Sequence, residues 1–304
     1  MDSSIQNIVR NWLPFTSTCD SISICGYSHE LNGKECQDAS CFWKEKNYSG
    51  IIVCDGHGGE KYIRSATGAK LACEVGRSAL SDFMAEALRK KSRIFQTKHS
   101  IDDNLNRLQR TITMLWREAV IADVKEHPVG DDERFSVLSD AERTSICADS
   151  GVKAYGTTFL AGVMSKEFLF ILKLGDGNAC VVLDNGSVIL PDELSDPQLQ
   201  FNFTTSLCSS DADIRFRNYF MRMDESSRPV AIILSSDGVI NCYHSEDAFK
   251  SFIKNISDAY VQESVSDAHS ELEDALNTLS KKGSGDDLSI AIVRLNGPVE
   301  AKEA

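Results

Sequence analysis

The sequence predicts an α+β fold in which antiparallel sheets are covered by helices within one domain. Its segments follow one another as strands, two long helices, many strands, two further helices and a last strand. Hairpins and meanders dominate this order, whereas a parallel sheet would require a regular alternation of strand and helix. At 304 residues the chain is also long enough to bury a sizeable core.

Apolar and β-branched runs predict three strands near the N-terminus. They cover 21–28, 38–43 and 51–54, and a polar link occupies 28–38. Because only a short turn joins the second and third strands, we expect them to pair as antiparallel neighbours. Asp38 would then begin one strand and Asp55 would end the other, which places two carboxylates at the same end of a sheet.

Two long helices are predicted next. Residues 60–91 are rich in Ala, Leu, Lys, Arg and Glu, with a possible break at Gly76. The second helix has one apolar face at helical spacing, formed by Ile101, Leu105, Leu108, Ile112, Leu115 and Ala119. Proline and glycine within 126–155 favour a loop-rich segment after this helix.

The second half of the chain is rich in strands. Hairpins are predicted from the strands 157–164 with 167–174 and 178–183 with 187–190, the second through an Asn-Gly turn. After them come an irregular flap (191–228), a strand (230–234), helices over 245–256 and 258–279, and a last strand (288–295). We therefore expect an N-terminal extension (1–20), one domain (21–296) and a disordered tail (297–304).

Charge and cysteine content restrict the classes of partner and compartment. The formal net charge is -13 and the pI is near 4.9, so no basic excess favours nucleic acid or an anionic membrane as a partner. No segment has the pattern of a signal peptide or the length of a membrane span. The ten cysteines include no Cys-x-x-Cys pair, as is typical of reduced thiols. These features predict a soluble cytoplasmic protein.

Five aspartates lie at the ends of predicted strands: Asp38, Asp55, Asp176, Asp237 and Asp286. A single Asp or His in a glycine-rich turn is usually only a turn former. Several carboxylates at one end of a sheet need a neutralising charge, because like charges at short range cost free energy or take up protons. Mg²⁺ or Mn²⁺ suits such oxygen donors. Two such ions about 3.5–4 Å apart could share a water, lower its pKa and aim it at phosphorus.

Six motifs follow one another along the chain: Gln37-Asp38, Asp55-Gly56-His57-Gly58-Gly59, Tyr155-Gly156-Thr157-Thr158, Leu174-Gly175-Asp176-Gly177, Ser236-Asp237-Gly238 and Gly285-Asp286-Asp287-Leu288-Ser289. In this order they resemble the metal-dependent protein phosphatases of type 2C, and in particular their bacterial type. The resemblance covers about 21–295. One Asp-Gly-His-Gly-Gly motif is moderately specific, and six motifs in order are strongly so.

The resemblance implies a four-layer α-β-β-α sandwich of two mainly antiparallel sheets, with two Mn²⁺ or Mg²⁺ ions at one end. It makes the chain from 21 to 296 a catalytic domain that hydrolyses phosphoserine and phosphothreonine in proteins. A hydroxide that bridges the two metals would attack phosphorus in line, without a covalent enzyme intermediate. Phosphorylated proteins are the implied partners, and a cognate serine/threonine kinase is a plausible one.

The resemblance also implies roles for the metal ligands. Asp55 matches the aspartate that bridges both metals, and the carbonyl of Gly56 matches a backbone ligand. Asp237 and Asp286 match ligands of one metal. Asp38 would act in the second coordination shell or through a water.

Two further roles follow from the resemblance. Asp176 matches the ligand of a third, weaker metal. His57 matches the general acid that protonates the departing serine or threonine oxygen. Such an acid should matter less for an activated aryl phosphate, whose leaving group needs no proton.

The sequence departs from the family's pattern at two positions. Gly33 stands where many relatives carry an arginine that clamps the phosphate. Lys34 and Arg64 are the main candidates to replace it and Arg217 is a third, although each could equally be a solvated surface charge. Asn241 stands where many relatives have another aspartate at the third metal, so weaker binding of that metal is expected.

Two alternative functions stay open. The departures at Gly33 and Asn241 motivate the first, a pseudophosphatase that binds phosphoproteins as a regulator with little or no turnover. The second is a different metal-dependent phosphohydrolase that acts on a small phosphate ester. Retention of Asp38, Asp55, His57, Asp237 and Asp286 argues against the pseudophosphatase.

Overall fold

The apolar runs form ten strands in the computed structural model, which describes residues 15–89, 93–196, 204–223 and 228–296. The predicted tail (297–304) and most of the predicted N-terminal extension lie outside these residues. The strands are β1 (Ser17–Ile24), β2 (Ala39–Lys44), β3 (Tyr48–Cys54), β4 (Phe159–Ser165), β5 (Phe168–Leu174), β6 (Asn178–Leu183), β7 (Val188–Ile189), β8 (Arg217–Arg222), β9 (Pro229–Ser235) and β10 (Leu288–Leu295).

These strands form two five-stranded sheets, and every described pair is antiparallel. The first sheet has the order β1-β10-β9-β6-β7 and the second β2-β3-β4-β5-β8. Ala39 of β2 is registered with Cys54 of β3, so the preceding Asp38 and the following Asp55 lie at the same end, as predicted. The last strand has the predicted bounds.

Nine α-helices occur in the described ranges: α1 (Tyr27–Leu31), α2 (Ser65–Arg89), α3 (Lys98–Glu126), α4 (Glu133–Ser136), α5 (Asp140–Ala148), α6 (Ala212–Arg215), α7 (Asp237–Ile240), α8 (Glu246–Gln262) and α9 (Val265–Lys282). The pair α2 and α3 covers the β2-β3-β4-β5-β8 sheet, and the pair α8 and α9 covers the other sheet. No helix among these residues is long and apolar enough to cross a bilayer.

Alternation along β3 shows how the layers are built. Ile51 and Val53 pack between the two sheets, whereas Ile52 and Cys54 pack under α2 and α3. A strand that is buried on both faces needs apolar residues at every position, which explains its continuous apolar sequence. The result is an α-β-β-α sandwich with one core between the sheets and one under each helical layer. The predicted α+β fold is confirmed.

Helix α2 runs straight through the predicted break at Gly76. A Cβ atom at Gly76 would lie 2.5 Å from the Phe159 ring, so the glycine is required by close packing against β4. Gly68 has a similar role, because a Cβ there would lie 1.9 Å from the carbonyl oxygen of Tyr155. The indole of Trp116 also donates to the Gly68 carbonyl at 3.0 Å, which fixes α3 against α2.

Several element bounds differ from the predictions. Strand β1 begins at Ser17, inside the predicted extension, and the predicted polar link contains α1. The predicted loop-rich segment 126–155 contains α4 and α5, and α5 begins with a capping box at Ser139. The boundary between α8 and α9 lies further along the chain than predicted. Ser264 caps α9, because its side chain accepts the backbone N–H of Asp267 at 3.2 Å.

The predicted flap (191–228) contributes more regular structure than its sequence indicates. Its strand β8 pairs with β5 along a continuous register. Ahead of β8 in the same segment, Leu207 donates its backbone N–H to the Thr157 carbonyl at 2.9 Å. This bond holds the segment beside the end of β4, where Thr204 reaches the cleft described next.

Candidate active site

A cleft of about 530 Å³ lies at the end of the sandwich where β3 ends and β2 and β10 begin. All five strand-end aspartates line it: Asp38, Asp55, Asp176, Asp237 and Asp286. Antiparallel pairing produces this convergence, because the start of one strand and the end of its neighbour lie side by side. The other residues that line it are Gln37, Gly56, His57, Gly58, Gly59, Lys61, Tyr62, Thr204 and Asp287.

The loop after β3 is held by the residues that precede β4. The backbone N–H of Asp55 donates to Oγ1 of Thr158 at 2.9 Å, and the Thr158 N–H returns a bond to the Asp55 carbonyl at 2.8 Å. Oγ1 of Thr157 donates to the same carbonyl at 2.9 Å. The N–H of His57 donates to the Gly156 carbonyl at 3.1 Å. The loop therefore has a fixed conformation before any ligand binds.

The closest carboxylates are those of Asp55, Asp176 and Asp237. One oxygen of each lies within 4.8 Å of the others. The side-chain amide of Asn241 donates to Oδ2 of Asp237 at 3.1 Å, which orients that carboxylate. Asp286 is exposed at the rim of the cleft.

Burial and mutual repulsion disfavour the charged forms of Asp38 and Asp55. Burial first, and then the charges of Asp287 and Asp286, raise the pKa of Asp38 to about 8, against the hydroxyls of Ser289 and Ser236. Burial and the neighbouring carboxylates also raise the pKa of Asp55 well above its usual range.

Asp237 and Asp38 complete this electrostatic pattern. The pKa of Asp237 is raised, first by burial and then by Asp176 and Asp286. Oδ2 of Asp38 is buried, and no group in the described residues hydrogen-bonds to it. A buried carboxylate oxygen without a partner costs free energy. Oxygen donors arranged in this way fit hard divalent cations such as Mg²⁺ and Mn²⁺.

His57 lies in the cleft against Tyr62. The two rings meet edge to face with centroids 4.7 Å apart. Burial lowers the pKa of His57 to about 4, with the charge of Lys61 adding to the shift and that of Asp176 opposing it. The free imidazole is therefore neutral at neutral pH.

The predicted phosphate-binding cations lie elsewhere. Arg64 is turned away from the cleft, where its guanidinium donates to the Tyr155 hydroxyl at 2.6 Å and to the carbonyls of His127 at 2.5 Å and Pro128 at 3.1 Å. Asp132 adds an ion pair at 3.5 Å. These bonds occupy the side chain in holding α2 against the segment after α3. In the structure Arg64 takes part in packing and does not line the cleft.

Lys34 and Arg217 also lie outside the residues that line the cleft. Lys34 is exposed, and Arg217 pairs with Asp196 at 3.3 Å. Gly33 has a φ of +65°, a backbone conformation that favours glycine just after α1. The backbone conformation at this position thus explains why a glycine stands where many relatives have an arginine.

Lys61 is the residue that sequence reasoning missed. Among the described residues that line the cleft, it is the one lysine or arginine. Its Nζ lies 4.9 Å from the centroid of the Tyr62 ring. The sequence could have indicated Lys61, because it lies only two residues after the Gly58-Gly59 pair and so stays near the loop.

A comparison with known protein families decides the assignment. The model of protein phosphatase 2C matches residues 25–277, most of the chain. The chain belongs to the protein phosphatase 2C family. It is accordingly a metal-dependent protein serine/threonine phosphatase, as the sequence predicted. No curated protein matches the chain in sequence.

Three solved structures of low sequence identity share the fold of this phosphatase. The serine/threonine phosphatase Stp1 from Staphylococcus aureus has 15% identity and a TM-score of 0.57, covering 94% of this chain and 97% of that chain. The catalytic domain of PstP, solved with 2 manganese ions, has 12% identity and a TM-score of 0.53, covering 92% and 99%. PppA from Pseudomonas aeruginosa has 15% identity and a TM-score of 0.54, covering 93% and 100%.

We predict that Asp38→Asn stabilises this phosphatase when metal is absent. In the folded state the pKa of Asp38 is about 8, above its usual 3.8, so the folded chain keeps a proton that the unfolded chain releases. The stabilisation from that proton is present at acid pH and is lost as the pH rises through about 8. At pH 8 in EDTA we expect the variant to melt several degrees higher, since 1 kcal/mol corresponds to roughly 2–4 °C.

The matched control is Asp274→Asn, which changes an exposed carboxylate on α9. Its melting temperature should follow that of the wild type from pH 5 to pH 8. Equal melting curves for Asp38→Asn and the wild type at pH 8 would contradict the electrostatic argument.

Proposed function

We propose that the phosphatase hydrolyses phosphoserine and phosphothreonine of proteins in the aspartate-lined cleft. The observation that carries the proposal is the convergence of buried and half-buried carboxylates, among which burial and neighbouring charges raise the pKa values of Asp38, Asp55 and Asp237. Such groups are unfavourable until a cation neutralises them, so they indicate a site built for metal. The open cleft leaves room for a phosphorylated side chain on a protein surface.

Each aspartate has a proposed role as a ligand. Asp55 lies among the others and would be a ligand of both ions, with the Gly56 carbonyl as a further ligand. Asp237 and Asp286 would hold one of the two ions. Asp38, with its free Oδ2, acts through a water or in the second coordination shell.

A third ion would use Asp176. The proximity of Asp176 to Asp55 and Asp237 supports this role. Asn241 offers only a neutral side chain there, and its amide is already donated to Asp237. Weak binding of a third ion therefore remains our proposal.

The protein's own residues supply position and protons for the reaction. When bound, the Mn²⁺ or Mg²⁺ ions would acidify a coordinated water and neutralise charge on the phosphoryl oxygens. The bonds from Thr157 and Thr158 hold the Asp55 backbone, so the ligand geometry needs little rearrangement. A poor leaving group such as the alkoxide of serine or threonine must gain a proton as it departs.

His57 is proposed to give that proton. Its low pKa means that the free enzyme holds a neutral imidazole. A phosphate monoester dianion beside the ring would raise the pKa, because an opposite charge within about 4–6 Å favours the imidazolium. On this proposal His57 becomes charged in the substrate complex and not before it. The edge of Tyr62 keeps the ring in place.

Lys61 is proposed to bind the phosphoryl group in place of the predicted Lys34 and Arg64. It lines the cleft, carries a positive charge and belongs to the same loop as His57. A lysine offers charge without the bidentate geometry of an arginine, so its hold on the phosphate should be less directional.

The alternative pseudophosphatase rested on Gly33 and Asn241. Gly33 has a positive φ, a backbone conformation that favours glycine. The side chain of Asn241 orients Asp237, a proposed metal ligand. Neither therefore indicates lost activity by itself. A small phosphate ester as substrate, a cognate kinase and a cytoplasmic location remain predictions from the sequence.

The direct test is phosphate release from a phosphothreonine peptide with Mn²⁺, with Mg²⁺ and with EDTA. We expect release with either metal, none with EDTA, and a loss of at least about 10²-fold in kcat for Asp55→Asn, because the bridging charge is removed. The exposed Asp274→Asn variant should keep full activity. If folded, Mn²⁺-loaded protein releases no phosphate, the pseudophosphatase is favoured. A strong preference for small phosphate esters over the peptide would favour the phosphohydrolase that acts on a small phosphate ester.

Replacement of His57 by glutamine separates the acid from the other parts of the site. We expect kcat for the phosphothreonine peptide to fall by roughly 10²–10⁴-fold, the usual contribution of a general acid. Hydrolysis of p-nitrophenyl phosphate should fall at least tenfold less, since its leaving group departs without a proton. Equal losses on the two substrates would remove His57 from this role.

Replacement of Lys61 by methionine tests the proposed phosphate contact. A lost charge-assisted hydrogen bond of about 1.5–3 kcal/mol corresponds to a fall in kcat/KM of roughly 10- to 100-fold. Lys34→Met is the matched control, because Lys34 is exposed and outside the cleft. A fall in kcat/KM for Lys34→Met alone would contradict the role of Lys61 and support Lys34 as the residue that binds the phosphate.

A further inference from the structure

A second group of side chains that could bind a metal includes Asp287, which also lines the cleft, and differs chemically from the five strand-end aspartates. Cys25 follows β1, His29 belongs to α1, and Asp287 precedes β10. One ligand atom of each lies within 4.8 Å of the others. We propose that these three side chains bind one thiophilic divalent cation, with Zn²⁺ as the best fit, at a site separate from the catalytic carboxylates.

Asp287 is held in place for such a role. Its carboxylate is buried, and Oδ1 accepts the backbone N–H of Gly26 at 2.6 Å and lies 2.9 Å from Nδ1 of His29. Oδ2 accepts the backbone N–H of Gln37 at 2.7 Å. The two backbone bonds fix the carboxylate without using any side chain that would bind the ion.

The donor set distinguishes this site from the cleft. A thiolate, an imidazole and a carboxylate are the usual ligands of Zn²⁺, which is bound with four ligands in tetrahedral geometry. Mg²⁺ and Mn²⁺ prefer oxygen donors, which the cleft supplies. Three protein ligands leave one position for water, and both Cys25 and His29 are partly exposed, so an ion can enter from solvent.

Binding would require a rearrangement of protons. Burial, Asp287 and Glu30 raise the pKa of Cys25, so without an ion it is a neutral thiol. On binding, the Cys25 S–H proton leaves to solvent and the thiolate bonds to the ion. His29 would be neutral, with its proton on Nε2 and the lone pair of Nδ1 on the ion.

The site is joined to the catalytic loops through the backbone. Asp287 directly follows Asp286, and Gln37, which donates to Asp287, directly precedes Asp38. An ion at Asp287 would hold these two loops and α1 to one another. We therefore expect it to stabilise the folded protein, and this expectation does not depend on the proposed catalytic roles.

Cobalt(II) provides a test that does not use activity, because a cysteine thiolate bound to Co²⁺ gives an intense near-ultraviolet charge-transfer band. The full chain would be titrated with Co²⁺ in excess Mg²⁺, which occupies oxygen sites. We expect the band to saturate at one equivalent and to be competed away by Zn²⁺. Cys25→Ser should abolish it, whereas Cys147→Ser, which changes an exposed cysteine elsewhere, should leave it intact.

His29→Asn separates metal binding from hydrogen bonding. Asparagine can still donate to Asp287 at the place of Nδ1, but it is a poor ligand for Co²⁺. We expect Co²⁺ affinity to fall by more than the 10- to 100-fold that follows loss of an outer-shell partner. A wild type without the band, or a band that survives in both Cys25→Ser and His29→Asn, would overturn the proposal and leave the three residues as a hydrogen-bonded clamp.

Discussion

Repulsion among carboxylates at one end of the sandwich is the constraint on which the rest of this structure depends. Asp38, Asp55 and Asp237 are held where burial and neighbouring charges disfavour ionisation. A protein without need of a cation would gain stability by replacing them with neutral residues. Their presence therefore makes sense only if a bound cation offsets the cost, and the cleft is the part of the fold where stability is given up for function.

The remainder of the fold keeps these groups from moving apart. Both sheets are buried on both faces, so the strands that carry the aspartates cannot shift register without exposing apolar side chains. The residues before β4 lock the loop after β3 through Thr157 and Thr158. Gly68 allows α2 to approach the backbone of Tyr155, close to the same loop. Preorganisation of the site thus follows from the packing of the strands and from the bonds that Thr157 and Thr158 make to the Asp55 backbone.

The positions of β2, β3 and β10 and the cluster of aspartates were predictable because they depend on local patterns. An apolar run that ends in Asp-Gly marks both the buried strand and its exposed end, and the short turn between β2 and β3 fixes their pairing. The continuous helix through Gly76 was not predictable, because the reason for that glycine is a ring on β4, distant in sequence.

The directions of the basic side chains likewise depend on contacts that are distant in sequence. Arg64 and Lys61 are close neighbours in the sequence, and nothing local says which of them faces the cleft. Arg64 is turned away by carbonyls and carboxylates from the end of α3 onward, which are contacts across a long sequence separation. The direction of a side chain that is set by such contacts cannot be read from a motif.

The most direct measurement is an anomalous difference map at the manganese edge from crystals grown with Mn²⁺. We expect peaks in the cleft, with two of them sharing the carboxylate of Asp55 and a third, if present, weaker and next to Asp176. A fully formed fold whose cleft shows no manganese peak would contradict the central claim, because the buried carboxylates would then be tolerated without the cation that is held to explain them.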